Sequence, residues 1–259
     1  KEGPAEKLKE TEITQPALLA VSTAMGRWLK AKGKSAAYAT GHSLGEYSAL
    51  VHAESLRFQD AVQLVNLRGR LMQSAVPSGK GGMVALIGAT PDAAQNLCEA
   101  VKKETGKILE PSVFNSPGQV VASGDIEAVD LALTKCKEYG IRMGTKLEVS
   151  GPFHCSLLTN AGKELRSALN KIEIRSPEIP VISNVTAREQ TSPDEIRENL
   201  EKQVFQAVRW EECIRHAALK GTTRFVEVGS GKVLAGIIKK ILPEATIISM
   251  DSVESLETI

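Results

Sequence analysis

The sequence has 259 residues, 42% hydrophobic and 24% charged, a globular balance long enough for one large domain or two smaller ones. Thirty-two Lys and Arg against 31 Asp and Glu give a formal charge of +1, so no global field points to nucleic acid or a membrane surface. The four cysteines, Cys98, Cys136, Cys155 and Cys213, form no CxxC pair and no zinc-like Cys/His spacing, and no apolar run is long enough to span a bilayer.

In chain order, Ile13 to Lys30 reads as a helix, with Thr14 as N-cap, Pro16 in the first turn and an apolar stripe of Leu18, Val21, Met25 and Trp28. A short strand-like run, Ser35 to Thr40, leads into Gly41-His42-Ser43-Leu44-Gly45-Glu46, and helices follow over 44–53 and 60–73. Val76 to Gly82 reads as a linker. After it come a strand at 83–87, a helix opened by Thr90-Pro91-Asp92, two strands around the turn Asn115-Ser116-Pro117-Gly118, a helix over 125–139 ending at Gly140, and a strand at 141–147. This β-α-β-β-α-β order predicts a ferredoxin-like domain over 82–147, inserted into a larger α/β domain formed by 1–81 and 148–259. The rest alternates: helix 157–169, strand 179–184, helices 192–204 and 210–219, strand 225–228, a helix from Gly229 to Ile241, and strand 245–250. That alternation predicts a parallel-sheet α/β fold.

Gly41-His42-Ser43-Leu44-Gly45 fits GxSxG between a strand and a helix, the context of a nucleophile elbow. The glycines permit a tight turn that lifts the Ser43 hydroxyl clear, and the following helix N-terminus offers the Leu44 amide to an oxyanion. A serine nucleophile needs a base. His42 points away at a sharp turn, His52 and His216 sit in helical patterns, and His154 lies in a strand-end loop, where it is either the base or a loop cap. Arg68 falls on the buried stripe of its helix, with Ala61, Leu64, Val65, Leu71 and Met72. A guanidinium there needs an anionic partner, either a structural Asp or Glu or a substrate carboxylate gripped bidentately. Gly229-Ser230-Gly231-Lys232 fails as a phosphate loop because Val233 stands where Ser or Thr is required, and Cys155 reads as an inert packed thiol.

Together the motifs resemble those of the malonyl-CoA:acyl carrier protein transacylases of fatty acid synthesis. The resemblance rests on Thr14-Gln15-Pro16-Ala17-Leu18, Gly41-His42-Ser43-Leu44-Gly45-Glu46-Tyr47 and Leu67-Arg68-Gly69. It continues through Asn115-Ser116-Pro117-Gly118-Gln119, Gly151-Pro152-Phe153-His154, Val208-Arg209-Trp210 and Glu227-Val228-Gly229-Ser230-Gly231-Lys232-Val233-Leu234. It implies a hydrolase-like core with the inserted small domain, Ser43 as nucleophile, His154 as base, Arg68 as the clamp for the malonyl carboxylate, and Gln203 as the residue whose main-chain carbonyl orients the histidine. It further implies malonyl-CoA as substrate with no resident cofactor or metal, an acyl carrier protein as partner, no nucleic acid or membrane, and a cytoplasmic monomer. Ser230 replaces a usual Pro, Cys155 a frequent Ser, and Gln206-Ala207 an X-Pro pair; none touches this chemistry.

The chain opens Lys1-Glu2-Gly3-Pro4 without an initiator Met, so a leader or further N-terminal segment is expected ahead of it, which leaves an organellar address open. The family's opening strand and Gly-Gln-Gly loop have no counterpart in the sequence. Two other readings compete. A serine hydrolase would carry a carboxylate between Ser43 and His154 in the sequence, where Asp125 and Asp130 stand. A carrier-docking module would need a basic surface, for which Lys239 and Lys240 are candidates.

Overall fold

The structure, a computed structural model, describes residues 7–252. It begins with α1 (Thr11–Ala31), continues through α2 (Gly45–His52), and lays α3 (Phe58–Ser74) against α1. The crossing of α1 and α3 is so close that a Cβ at Gly69 would sit 2.6 Å from the Cα of Glu12. This crossing corrects the expected face of α1. Its buried residues are Gln15, Leu19, Thr23, Gly26 and Leu29, whereas Leu18 is 38% exposed. The buried face mixes Leu19 and Leu29 with Gln15, Thr23 and Gly26, the last lying under His52 of α2, so apolar periodicity alone selected the wrong stripe. The N-cap is Glu10 rather than Thr14, whose hydroxyl instead donates back to the Glu10 carbonyl from inside the first turn. The run 35–40 forms no strand, only a parallel bridge from Ala39 to Val181.

The next segment is the most regular. β1 (Gly81–Ala89), α4 (Pro91–Thr105), β2 (Leu109–Ser116), β3 (Gly118–Asp125), α5 (Ile126–Lys135) and β4 (Met143–Lys146) build one antiparallel sheet in the order β2-β3-β1-β4. Gly81 and Gly82, read as linker, already belong to β1. Thr90 caps α4 by accepting from the Ala93 amide, and Gly140 takes the left-handed conformation, φ 72°, that stops the turn after α5.

The remaining elements are α6 (Thr159–Leu169), β5 (Val181–Ile182), β6 (Glu189–Gln190), α7 (Pro193–Lys202), α8 (Trp210–Leu219), β7 (Arg224–Val228), α9 (Val233–Ile241) and β8 (Thr246–Met250). The fold is α/β. Parallel pairing among the described residues comprises β7 with β8 and isolated bridges, while β5 pairs antiparallel with β6, a strand absent from the sequence reading.

Period-two alternation decides how these pieces meet. Val84 and Leu86 of β1, with Val120 and Ala122 of β3, pack under α4 and α5 against Leu97, Val101 and Val129. Met83, Ala85 and Val121 face the other way, onto Trp210 and Ile214 of α8 and Ile238 of α9. The sheet is therefore apolar on both faces, which is why Met83 to Ile87 reads as an unbroken apolar run. Backbone bonds from Phe114 to Val208 and from Val208 to Ser112, each 2.9 Å, tie β2 to the chain just before α8. A separate core joins α2, α3, α6 and α7 through Tyr47, Leu50, Val65, Leu165 and Leu200.

Candidate active site

Ser43 adopts φ 51°, a left-handed conformation that costs an L-residue roughly 1–2 kcal/mol and persists only where its surroundings enforce it. Those surroundings are visible. A Cβ on Gly41 would lie 2.0 Å from the carbonyl carbon of Gly45, so the bare Cα at position 41 permits the turn to close, whereas a Cβ at Gly45 would meet nothing within 4 Å. Asn184 staples it: its Oδ1 accepts from the Ser43 amide at 2.7 Å and its Nδ2 donates to the Gly41 carbonyl at 2.9 Å. His42 points away from the serine hydroxyl, its Nε2 lying 2.9 Å from Asn115 Oδ1 and its ring 5.4 Å from that of Trp210.

The structure brings His154, 111 residues further on, to the serine: its Nε2 is 2.8 Å from Ser43 Oγ. His154 Nδ1 is 2.6 Å from the Gln203 carbonyl. A carbonyl only accepts, so Nδ1 carries the proton and the Nε2 lone pair faces the hydroxyl. Gln203 is the C-cap of α7, so its carbonyl belongs to the negative end of a ten-residue helix. Burial first, and the nearby Arg68 charge second, push the His154 imidazole down to about 3.

Arg68 is 1% exposed. Its guanidinium donates to Gln15 Oε1 at 2.7 Å, Gln203 Oε1 at 2.9 Å and Ser43 Oγ at 3.0 Å, and lies 5.5 Å from the Tyr47 ring centroid. No ion pair among the described residues involves it, and its Nε is buried without a hydrogen-bond partner. The structural carboxylate weighed for this arginine is therefore not in contact with it. Burial pushes the guanidinium down, while Tyr47 and then Glu46, one hydrogen-bonded residue away, favour its charge.

Glu46 escaped the sequence reading. It is fully buried in the first turn of α2 and accepts from the Asn184 amide at 3.0 Å, Gln190 Nε2 at 2.8 Å and Gln203 Nε2 at 2.7 Å. Burial holds its carboxyl above the usual carboxylate range, against the downward pull of these donors and of Arg68. The available signal was an acidic residue followed by Tyr47, Ala49 and Leu50 in a short helix with little polar face, all of them now buried.

Other candidates fall away on geometry. Asp125 accepts from the Ile108 amide and Asp130 pairs with Lys146, so neither touches His154. Cys155 is buried, donates to the Pro152 carbonyl, and has its thiol pushed up to about 12 by burial. At the Gly229 turn, Glu227 already accepts from the Leu234 and Ala235 amides at 3.0 Å, filling the place an anion would take. Lys239 donates to the Pro243 and Ala245 carbonyls at its own helix end, whereas Lys240 stays on the surface. Among the described residues no cluster of His, Cys, Asp and Glu could hold a metal ion, and no helix is long and apolar enough to cross a membrane.

The acyl transferase domain family matches residues 1–256. The chain belongs to this family. It is 45% identical over 260 residues to the malonyl CoA-acyl carrier protein transacylase of Haemophilus influenzae, covering 100% of this chain and 83% of that protein. Among solved structures, an acyl carrier protein S-malonyltransferase from Vibrio cholerae superposes with a TM-score of 0.96 at 42% identity, covering 100% of this chain and 84% of the other. A malonyl-transacylase solved with its type II PKS acyl-carrier protein gives a TM-score of 0.96 at 41% identity over 100% and 83% of the two chains. The arrangement in this acyl transferase domain is a serine in a strained backbone hydrogen-bonded to a buried histidine, a main-chain acceptor on the far side of that histidine, and a buried cation beside the serine.

Proposed function

We propose that this acyl transferase domain moves a malonyl group from coenzyme A to the phosphopantetheine thiol of an acyl carrier protein, supplying fatty acid synthesis. The observation that carries the specificity is Arg68: a buried guanidinium, free of carboxylate contact among the described residues, 3.0 Å from Ser43 Oγ. Site and malonyl carboxylate complete each other, because an acetyl group would leave that charge unpaired.

In the first half-reaction Ser43 Oγ attacks the thioester carbonyl while His154 Nε2 takes its proton. The oxyanion sits against the Leu44 amide at the N-terminus of α2. The new imidazolium is held by the Gln203 carbonyl, in the place an Asp occupies in the familiar triad. A malonyl carboxylate on Arg68 offsets the charge that weakens His154, so the correct substrate also restores the base. The thioester C–S bond breaks, coenzyme A leaves as a thiol with the proton from His154, and a seryl ester remains. The carrier thiol then repeats the sequence in reverse.

This reading extends to the architecture. A hydrolase-like α/β domain over 1–81 and 148–259 carries nucleophile, base and clamp, and a ferredoxin-like domain over 82–147 is inserted in it. The β2-β3-β1-β4 order supports the second label, and the elbow between the Ala39 bridge and α2 the first. The working form is a cytoplasmic monomer that meets only a coenzyme A thioester and a carrier protein. A hydrolase is disfavoured because a main-chain carbonyl, and no carboxylate among the described residues, stands on His154 Nδ1.

Intact mass after brief incubation with malonyl-CoA tests the reading. A malonyl adduct is expected on the wild-type chain and absent from Ser43→Ala, with little adduct from acetyl-CoA. Equal labelling by both thioesters would remove the clamp, and hydrolysis with no transfer to a carrier thiol would replace the transferase with an esterase.

A further inference from the structure

Gln203 meets the site twice. Its carbonyl accepts from His154, and its side-chain Oε1 accepts from Arg68. An amide can sit either way round, and the two orientations differ in which end faces the arginine. Here Nε2 donates to Glu46 Oε2 at 2.7 Å and to the Ser43 carbonyl at 2.9 Å. If the amide flipped, Oε1 would face two acceptors and Nε2 would face the guanidinium donors. A carboxylate at position 46 makes the flipped state electrostatically hostile on both sides.

We propose that Glu46 is a positioning residue for substrate selection, its carboxylate, both oxygens of which accept from N–H donors, locking the Gln203 amide so that Oε1 fixes the Arg68 guanidinium beside Ser43. The proposal rests on Arg68 as the malonyl clamp. It explains why a fully buried carboxylate lies near a fully buried arginine without touching it. A direct pair would occupy the guanidinium, whereas the amide between them orients the arginine and leaves N–H groups for substrate. The carboxylate supplies counter-charge to the guanidinium. Its remaining bonds hold the elbow from behind: Oε1 accepts from Gln190 Nε2, Gln190 Oε1 accepts from Asn199 Nδ2 at 3.0 Å, and Oε2 accepts from the amide of Asn184, the residue stapling the Ser43 turn.

Glu46→Gln is a clean test because Gln190 and Asn199 can both turn their amides to face the new side chain, keeping every hydrogen bond while the charge is lost. The rates of Ser43 acylation by malonyl-CoA and by acetyl-CoA are measured by intact mass for wild type, Glu46→Gln, Gln203→Met and the double variant. Gln203→Met keeps the carbonyl that holds His154 and deletes the amide, so it serves even if Glu46→Gln folds poorly. The malonyl-to-acetyl ratio is expected to fall about tenfold in each single variant, whatever change the two absolute rates share. The double variant is expected to be no worse than Gln203→Met alone, because both changes break one connection. A purely structural role would lower both rates together and keep the ratio, and that result overturns the proposal, as does an additive double variant. Arg68→Ala is the control for the underlying reading. If it too keeps the wild-type ratio, the clamp itself is wrong and the role of Glu46 falls with it. If only Arg68→Ala loses selectivity, the clamp stands and Glu46 is merely packed.

Discussion

Two turns in this molecule are built from nearly the same residues and do opposite things. Ser43 lies between Gly41 and Gly45 ahead of α2, and Ser230 lies between Gly229 and Gly231 ahead of α9. At the first, the serine itself takes the left-handed backbone, its amide is stapled by Asn184, and its hydroxyl reaches a histidine. At the second, the glycines carry the positive φ values, 149° and 89°, Ser230 is exposed, and the Glu227 carboxylate occupies the helix amides. A helix N-terminus is therefore available to a reacting anion only where the protein has not already filled it. Glycine-serine-glycine composition by itself says nothing about which case holds.

The largest break in the parallel comes from the serines. Ser43→Ala should lower acyl transfer by about 10⁴-fold or more, whereas Ser230→Ala should leave the rate unchanged; radiolabelled malonyl transfer to carrier protein measures both. Next come the glycines. Gly41→Ala drives a methyl into the Gly45 backbone and should cost about 3 kcal/mol of stability by overpacking. Gly231→Ala meets nothing within 4 Å and should cost only the left-handed penalty of about 1–2 kcal/mol; urea denaturation of the two variants separates these values.

The buried base gives the elbow a pH signature that the exposed turn lacks. His154 titrates near 3 in the folded chain and near 6.5 when unfolded, so between these values the unfolded state holds the extra proton. Stability should therefore rise with pH across that window, by up to about 1.4 kcal/mol per unit from this group. His42, pushed down by burial too, adds a slope of the same sign. Denaturation at pH 5 and pH 7 should show the slope shrinking in His154→Asn; an unchanged slope would mean the imidazole is not held neutral. The smallest effect belongs to the silent turn. Glu227→Gln should cost about 1 kcal/mol of stability through the weakened cap on α9, with transfer rates intact.

Legibility in the sequence followed the range of the interaction. Helix α8 matched residue for residue, and Thr90, Ser192 and Gly140 act as the caps their neighbours announced, because capping is settled within four residues. Ser43 and the helix behind it were equally local. Arg68 was visible as a charge on an apolar stripe, yet its partners Gln15 and Gln203 lie 53 and 135 residues away, so the pattern left its anion undecided. His154 was visible as a strand-end histidine, base or loop cap, and only the family resemblance pointed to the base and to the Gln203 carbonyl, while Glu46, Asn184 and Gln190 were given no role. Each is a buried polar group satisfied by a residue more than 130 positions distant, which no periodicity encodes. The misread stripe of α1 has the same origin: its inward face was chosen by the approach of α2 and α3, not by its own hydrophobicity.

Gly69 stands next to Arg68, yet its place against Glu12 gives it a say over chemistry it never meets. Ser43 is moored on α2 by Asn184, whereas the guanidinium rides on α3 and leans on α1 through Gln15. The 3.0 Å between Ser43 Oγ and Arg68 is thus a tolerance between separately mounted parts, and the missing methyl at position 69 is the clearance that sets it. A single carbon added there would act as a shim, widening the helix crossing and shifting the cation against a serine that stays in place.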